Sequence, residues 1–121
     1  MNPLFIALTS IAMSVAAQFS LKAGMSGAVV KTVLGQPLGV RWLVTILTDK
    51  FVLLGFLLYG LGAIVWLGVL SKWDVSKAYP LVGLGFAFTA AIGFLVGEEI
   101  TTNRLLGVTL ICAGVFLVGR S

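Results

Sequence analysis

Charge is scarce in this chain, and histidine is absent from it. The 121 residues include eight lysines and arginines, four acidic residues, one cysteine and no histidine. Without histidine, and with Cys112 as the sole thiol, the sequence offers neither the ligand set of a zinc site nor a nucleophile–base pair. We therefore expect no enzymatic activity, no metal and no other cofactor, and we interpret Cys112 as a small packing residue.

Polar residues are also too few to cover a soluble domain. Hydrophobic residues make up 60% of the chain and its mean hydropathy is +1.14, whereas a soluble domain of this size leaves roughly a third of its unfolded surface in water. A membrane-spanning helix needs about 20 apolar residues. Four runs meet that length: Pro3–Ala23, Phe51–Ser71, Ala78–Gly97 and Thr102–Gly119. We predict an all-α membrane protein with one four-helix transmembrane domain over residues 1–121, the first run being retained because no charged segment precedes it.

The connections between these runs predict how neighbouring helices are arranged. Lys72–Lys77 and Glu98–Thr101 are short, so the helices that they join must pack antiparallel. The first connection is longer, and apolar residues within Gly39–Thr48 recur at a helical spacing. Two interpretations of that segment stay open: a short helix on the membrane surface, or an extension of the second span.

The basic residues are spread over the helix ends. This distribution indicates anionic lipid headgroups rather than nucleic acid as the partner. Five of the basic residues fall on one side of the membrane, namely Lys22, Lys31, Arg41, Lys50 and Arg104, and three on the other, namely Lys72, Lys77 and Arg120. The positive-inside rule therefore favours a cytoplasmic first loop only slightly, and the orientation stays open.

Small residues recur in the last two spans. Gly85, Thr89, Gly93 and Gly97 follow one another at intervals of four, and Gly83 begins a second row with Ala87 and Ala91. Gly107 and Gly114 lie seven residues apart in the fourth span. Such residues allow close contact between membrane helices, although they are also common there. Because four helices enclose little volume, we expect a dimer that creates the substrate cavity.

Polar residues inside a span are costly, so they indicate a functional or buried face. Ser10, Ser14, Gln18 and Lys22 follow one another at intervals of four on the first helix. Serine tolerates this environment by bonding to its own helix backbone. Gln18 either lines a substrate path or ties two helices together, and Lys22 either binds substrate or extends to the headgroups.

No acidic residue lies deep in a span. Asp49, Asp74, Glu98 and Glu99 all fall in or beside connections. A carrier that exchanges organic cations for protons needs a buried carboxylate, so this pattern disfavours that activity. Lysines at the helix ends favour an anionic substrate such as a phosphate.

Several motifs together resemble the drug/metabolite transporter superfamily, which includes small multidrug resistance and EamA-like proteins. They are Ser14–Gln18 (SVAAQ) with Lys22, Lys77–Pro80 (KAYP) with Gly83–Gly85, and Gly97–Thr101 (GEEIT), followed by Leu106–Gly107 and Ala113–Val115. The small multidrug exporters have a glutamate where this chain has Ser14. This difference disfavours proton-coupled drug export. The combination is more similar to the two small subunits that flip undecaprenyl phosphate–aminoarabinose for lipid A modification.

This resemblance implies a multi-pass protein of the bacterial inner membrane that translocates a polyprenyl-phosphate-linked sugar. It implies that the chain pairs with a copy of itself or with a similar four-helix subunit. The substrate-binding candidates are Ser14, Gln18, Lys22, Trp66, Lys77, Tyr79 and Glu98, although Trp66 also suits an interfacial or packing role. Two alternatives stay open: a small exporter of organic cations, and an accessory membrane subunit that transports nothing itself.

Overall fold

The computed structural model describes residues 2–121, and it confirms the four-helix architecture. Four helices are long and apolar enough to cross a membrane: Pro3–Met25, Lys50–Leu70, Val75–Leu95 and Thr102–Arg120. No β-strand occurs within residues 2–121. The helices in chain order are α1 (Pro3–Met25), α2 (Ala28–Leu34), α3 (Val40–Leu47), α4 (Lys50–Leu70), α5 (Val75–Ala78), α6 (Gly83–Leu95) and α7 (Thr102–Arg120).

Polar side chains mark where the long helices begin. The Asn2 side chain accepts a hydrogen bond from the Leu4 N–H at 2.9 Å, with Pro3 in the first turn. Asp49 caps α4 and Thr101 caps α7 in the same manner. Because the first N–H groups of a helix have no partner within the helix, each cap stabilises the start of a long helix.

The third span is composite. It consists of α5, a 3-10 turn at Tyr79–Val82 and α6, so it begins three residues before the predicted Ala78 and ends two before the predicted Gly97. Pro80 lies in the 3-10 turn, where a residue without an N–H is tolerated. Gly97 lies beyond the end of α6 with a φ of 96°, a backbone conformation that favours glycine. Its place is therefore in the reversal of the chain rather than in a helix–helix contact.

α1 lies at the centre of the fold. α4 and α6 each pack against it and make little contact with each other, whereas α7 packs on α6 and on the 3-10 turn. Three glycines of α4 face α1, and a Cβ atom added to any of them would come within 3.5 Å of it: Gly55, Gly62 and Gly68. This arrangement leaves a channel between α4 and α6 whose floor is α1.

Glycines of the third span contact helices on two sides. A Cβ atom at Gly83 would lie 2.8 Å from Ile111 of α7, and one at Gly85 would lie 3.2 Å from Ile11 of α1. Added Cβ atoms at Gly107 and Gly114 would meet nothing within 4 Å. Of the glycines predicted to pack in the last two spans, Gly83 and Gly85 therefore lie where helices approach closely within residues 2–121. Gly107 and Gly114 of α7 face open space.

The first connection folds into two short helices. α3 ends at Leu47 and α4 begins at Lys50, so the segment is a separate helix and does not extend the second span. Val30 of α2, Ile46 of α3 and Val52 of α4 form a small apolar cluster. This cluster fastens both short helices to one end of the bundle.

Candidate substrate groove

A cavity of about 460 Å³ occupies the channel between α4 and the third span. We call it the groove. Its polar lining residues come from α1, α4 and the third span: Ser10, Ser14, Gln18, Tyr59, Tyr79 and Thr89. Trp66 and Phe86 are its large aromatic neighbours. Because α4 and α6 make little contact with each other, the groove is not closed on the side opposite α1.

The two groove serines are bound to backbone carbonyls. The Ser10 hydroxyl donates to the Gly62 carbonyl at 2.7 Å and links α1 to α4. The Ser14 hydroxyl donates to the Ile11 carbonyl of its own helix at 2.9 Å. Both hydroxyl hydrogens are thus engaged, and the Ser14 oxygen, which is only partly buried, keeps capacity as an acceptor.

Gln18 and Tyr59 meet across the groove. The Nε2 amide of Gln18 donates to the phenol oxygen of Tyr59, joining α1 to α4. The Gln18 side chain is exposed to the groove, and it has another N–H and a carbonyl oxygen available for a ligand. The two interpretations of Gln18 therefore do not conflict, because its amide lines the groove and ties two helices.

Trp66 and Tyr79 lie toward the opposite end of the groove. Trp66 is partly buried and packs against the main apolar core cluster, while Tyr79 is 67% exposed. Trp66 therefore packs in the core and also lines the groove, and its contact with substrate stays a prediction. Trp66 belongs to the α4 wall and Tyr79 to the wall formed by the third span, and an indole and a phenol can stack against a sugar ring and donate hydrogen bonds to it.

Charged side chains do not line the groove within residues 2–121. Lys22 is exposed in the last turn of α1, one turn beyond Gln18. The Glu98 carboxylate lies against Gly93, which is one turn beyond Thr89 on α6. Lys22 and Glu98 therefore lie beyond the same end of the groove.

Lys77 lies elsewhere. Its ammonium group sits 4.8 Å from the centre of the Trp73 ring, and it borders a different cavity on the other side of the third span. The structure therefore brings Ser14, Gln18, Trp66 and Tyr79 together and leaves Lys22, Lys77 and Glu98 outside the groove lining.

Comparison with known proteins identifies the family. The chain is 34% identical to a protein of Sodalis glossinidius named "Probable 4-amino-4-deoxy-L-arabinose-phosphoundecaprenol flippase subunit ArnF", and the match covers 93% of this chain and 86% of that one. The chain belongs to the ArnE/ArnF family. The resemblance inferred from SVAAQ, KAYP and GEEIT is thereby confirmed.

Other members of the ArnE/ArnF family match over a shorter range. Two proteins named as probable ArnE subunits of the same flippase are 44% identical in Pseudomonas savastanoi pv. phaseolicola and 42% identical in Pseudomonas aeruginosa strain UCBPP-PA14. These matches cover 50% and 56% of this chain. They span 54% and 60% of the relatives, so the chain matches little more than half of their length. Neither a family model nor a solved structure matches the chain.

Several groove residues, among them Tyr59 and Thr89, are not among the site residues predicted from the sequence. The sequence does contain features from which the position of Tyr59 could be predicted. This residue lies between Gly55 and Gly62 at spacings of four and three, so it shares their helix face, and a polar aromatic residue in the middle of a span is costly unless it has a partner. Thr89 belongs to a row of small residues whose spacing predicts helix packing, and spacing alone does not distinguish packing from lining a cavity.

Proposed function

We propose that this chain is one subunit of a carrier that moves a polyprenyl-phosphate-linked aminosugar between the leaflets of the bacterial inner membrane. Its relatives are named for 4-amino-4-deoxy-L-arabinose-phosphoundecaprenol. The observation that carries the proposal is a groove of about 460 Å³ in which polar side chains of α1, α4 and the third span lie among apolar ones, and which is not closed by contact between α4 and α6.

An open groove suits an amphiphilic substrate. The sugar phosphate cannot cross hydrocarbon without polar partners, because an unpaired polar group costs several kcal/mol there. Hydroxyl and amide groups along α1 and α4 supply such partners. The prenyl chain meanwhile extends through the open side and remains in the lipid.

The charges near the groove match the two charges of an aminosugar phosphate. Lys22 binds the phosphate as a point charge, and Glu98 pairs with the sugar ammonium, both beyond the end of the groove at which α1 and α6 finish. Inside the groove Ser14, Gln18 and Tyr59 offer neutral partners. A substrate must bind well enough to enter and weakly enough to leave, so neutral groups along the path favour passage.

Proton-coupled export of organic cations fits the groove less well. That activity needs a carboxylate whose ionisation the cation and the proton share. The groove lining within residues 2–121 contains no acidic side chain. We therefore place drug export second.

A second four-helix subunit, identical or similar, completes the carrier. A further cavity beside Gly114 of α7 lies next to the groove, because Tyr79, Val82 and Phe86 line both. A partner seated on this face covers the open side of the groove for part of its length, and a dimer then encloses more volume than one chain does.

The test is transport of the aminosugar lipid in proteoliposomes. The chain, purified gently with any subunit that accompanies it, is reconstituted with 4-amino-4-deoxy-L-arabinose-phosphoundecaprenol in both leaflets. A membrane-impermeant amine reagent then labels the lipid from outside. We expect labelling of the outer half alone in protein-free vesicles, and labelling that approaches completion when the carrier is present.

Two substitutions on α1 provide a matched comparison. Ser14→Leu places a bulky apolar group in the groove, while Ala12→Leu places the same group on an exposed face outside it. We expect Ser14→Leu to slow labelling of the inner half about ten-fold or more, and Ala12→Leu to leave it near the wild-type rate. Labelling that stops at half with the wild-type protein, or equal rates for the two variants, would contradict the proposal.

A further inference from the structure

The cavity that Lys77 borders has a volume of about 470 Å³ and lies at the end of the bundle where α1 begins and α7 ends. We call it the basic cavity. Among its lining residues are Trp73, Lys77 and Leu84 of the third span and its approach, and Val115, Phe116 and Arg120 of α7. None of these residues lines the groove, so the basic cavity is a separate site between the third span, α7 and the start of α1.

Two cations border the basic cavity, and no acidic side chain lines it within residues 2–121. Lys77 lies 4.8 Å from the centre of the Trp73 ring, and the Arg120 guanidinium lies 5.6 Å from that of Phe116. Ring contacts of this kind hold a cation in place and leave its N–H donors to other partners. Asp74, the nearest acidic residue in sequence to Lys77, is exposed and directly precedes α5.

The rest of the cavity is mainly apolar and extends into the bundle. Leu84 lies seven residues from Lys77 in the third span, and Cys112 lies eight residues from Arg120 on α7. At a rise of 1.5 Å per residue, the apolar walls continue for about 10–12 Å beyond the two cations. A free phosphate ion would use only the charged rim, whereas a lipid uses the rim for its headgroup and the walls for its acyl chain.

We propose that the basic cavity binds an anionic phospholipid of the leaflet at this end of the bundle. Lys77 and Arg120 contact the lipid phosphate, and one acyl chain lies between the third span and α7 against Leu84 and Val115. Charge complementarity identifies this occupant, because two cations without a carboxylate among the lining residues favour an anion over a zwitterion. This assignment gives Lys77 a binding role outside the groove and does not depend on the proposed transport activity.

The test compares two phospholipids with identical acyl chains. The full chain in a mild non-ionic detergent is titrated with phosphatidylglycerol or with phosphatidylcholine, and native mass spectrometry counts the bound lipids. We expect one phosphatidylglycerol to bind markedly more tightly than phosphatidylcholine. Each cation near a phosphate contributes about five-fold to affinity, so K77Q/R120Q should weaken phosphatidylglycerol binding about 25-fold.

A charge-matched control separates the cavity from general attraction. R41Q/K50Q also removes one arginine and one lysine, both exposed at the opposite end of the bundle, and Lys50 likewise lies over a ring, that of Phe51, at 5.1 Å. We expect this variant to bind phosphatidylglycerol within about two-fold of wild type. Equal losses in the two double variants, or equal affinity for the two lipids, would overturn the proposal.

Three further measurements distinguish other occupants. Excess inorganic phosphate at constant ionic strength should leave phosphatidylglycerol bound, because the ion lacks the acyl contacts; displacement would mean a site for phosphate only and would overturn the lipid assignment. Binding of undecaprenyl phosphate at least as tight as that of phosphatidylglycerol, lost in the same variant, would assign the cavity to the transported lipid instead. A switch from dimer to monomer in K77Q/R120Q, with lipid binding unchanged, would assign the surface to a second copy.

Discussion

At the scale of single residues, Lys22 is the charged group best placed to meet a substrate phosphate at the groove. It continues the row formed by Ser10, Ser14 and Gln18 on α1, and its side chain is exposed in the last turn of the helix. A long, flexible side chain at a helix end can reach both the headgroup layer and the groove. Substrate binding by Lys22 therefore stays a prediction, and its alternative is that the side chain only extends to the headgroups.

Replacement of this lysine should weaken substrate capture without damaging the fold. We expect Lys22→Ala to raise the substrate concentration that gives half-maximal transport about five-fold, because one cation near a phosphate is lost. The melting temperature should change little, since the side chain is exposed. The proteoliposome labelling assay at several substrate concentrations measures the first effect, and thermal unfolding in detergent measures the second.

The control for this prediction is Lys31→Ala. Lys31 is equally exposed and lies on α2 in the first connection, on the same side of the membrane, so its removal changes the surface charge by the same amount. If the two variants have the same half-saturating concentration, or if Lys22→Ala transports normally at low substrate, Lys22 has no role in capture.

The site could be predicted in part from single residues. The shared position of Ser14 and Gln18 on one face of α1 could be predicted from the spacing of polar residues, because residues four apart share a helix face whatever surrounds them. The position of Lys77 did not follow, since it depends on the short helix and the 3-10 turn that precede α6 and set which way the side chain points. Whether the Tyr59 side chain faces the groove depends on the rotation of α4 against α1, which a single sequence does not report directly.

At the scale of elements, the contact between the third span and α7 depends on the small size of Gly83. A Cβ atom there would lie 2.8 Å from Ile111 and 3.0 Å from Val115, both of which are branched side chains on a helix. Gly83 is buried, so these side chains or the helices that carry them must shift to admit even one methyl group. Overpacking of this kind costs about 1–3 kcal/mol.

We expect Gly83→Ala to destabilise the protein by up to about 2 kcal/mol, which is the overpacking cost less the gain of up to about 1 kcal/mol that alanine brings to a helix interior. Thermal or denaturant unfolding in detergent measures the change. The matched control is Gly60→Ala in α4, where an added Cβ atom would meet nothing within 4 Å. That variant should be unchanged or slightly more stable, and a Gly83→Ala protein as stable as Gly60→Ala would show that the two helices do not approach closely here.

The elements themselves were predicted with uneven success. Long apolar runs identify spans, so all four transmembrane helices could be recognised from the sequence. α2 could not be predicted, because a segment of seven residues that contains Lys31 and Thr32 resembles a loop. The helix is stabilised by the apolar cluster around Val30. Tertiary packing of this kind determines whether a short helix forms, because such helices are only marginally stable in isolation.

At the scale of the whole molecule, α7 is the least covered of the four spans. Only 6% of its most apolar 18-residue stretch is buried inside the protein, whereas the corresponding share is between 22% and 28% in the other three spans. Large apolar side chains such as Leu110, Phe116 and Leu117 are at least 64% exposed. Lipid can cover such a surface, but Gly107 and Gly114 on one face of α7 also permit the close approach of another helix.

We predict that this glycine face joins two subunits. Gly107→Leu and Gly114→Leu each place a branched side chain where an added Cβ atom meets nothing within the chain, so the fold of one subunit should tolerate either substitution. An interface between subunits would not tolerate it, and overpacking there should weaken association about ten-fold or more. Native mass spectrometry of protein released from its own membrane measures the ratio of dimer to monomer.

The same substitution at Gly60 of α4 is the control, because an added Cβ atom there also meets nothing within 4 Å. We expect Gly60→Leu to remain dimeric and Gly114→Leu to become largely monomeric, with similar melting temperatures. Since the cavity beside Gly114 shares Tyr79, Val82 and Phe86 with the groove, loss of the partner should also uncover the groove and slow transport. A Gly114→Leu protein that stays dimeric would exclude this face as the interface, and one that is monomeric yet transports normally would make the single chain the working unit.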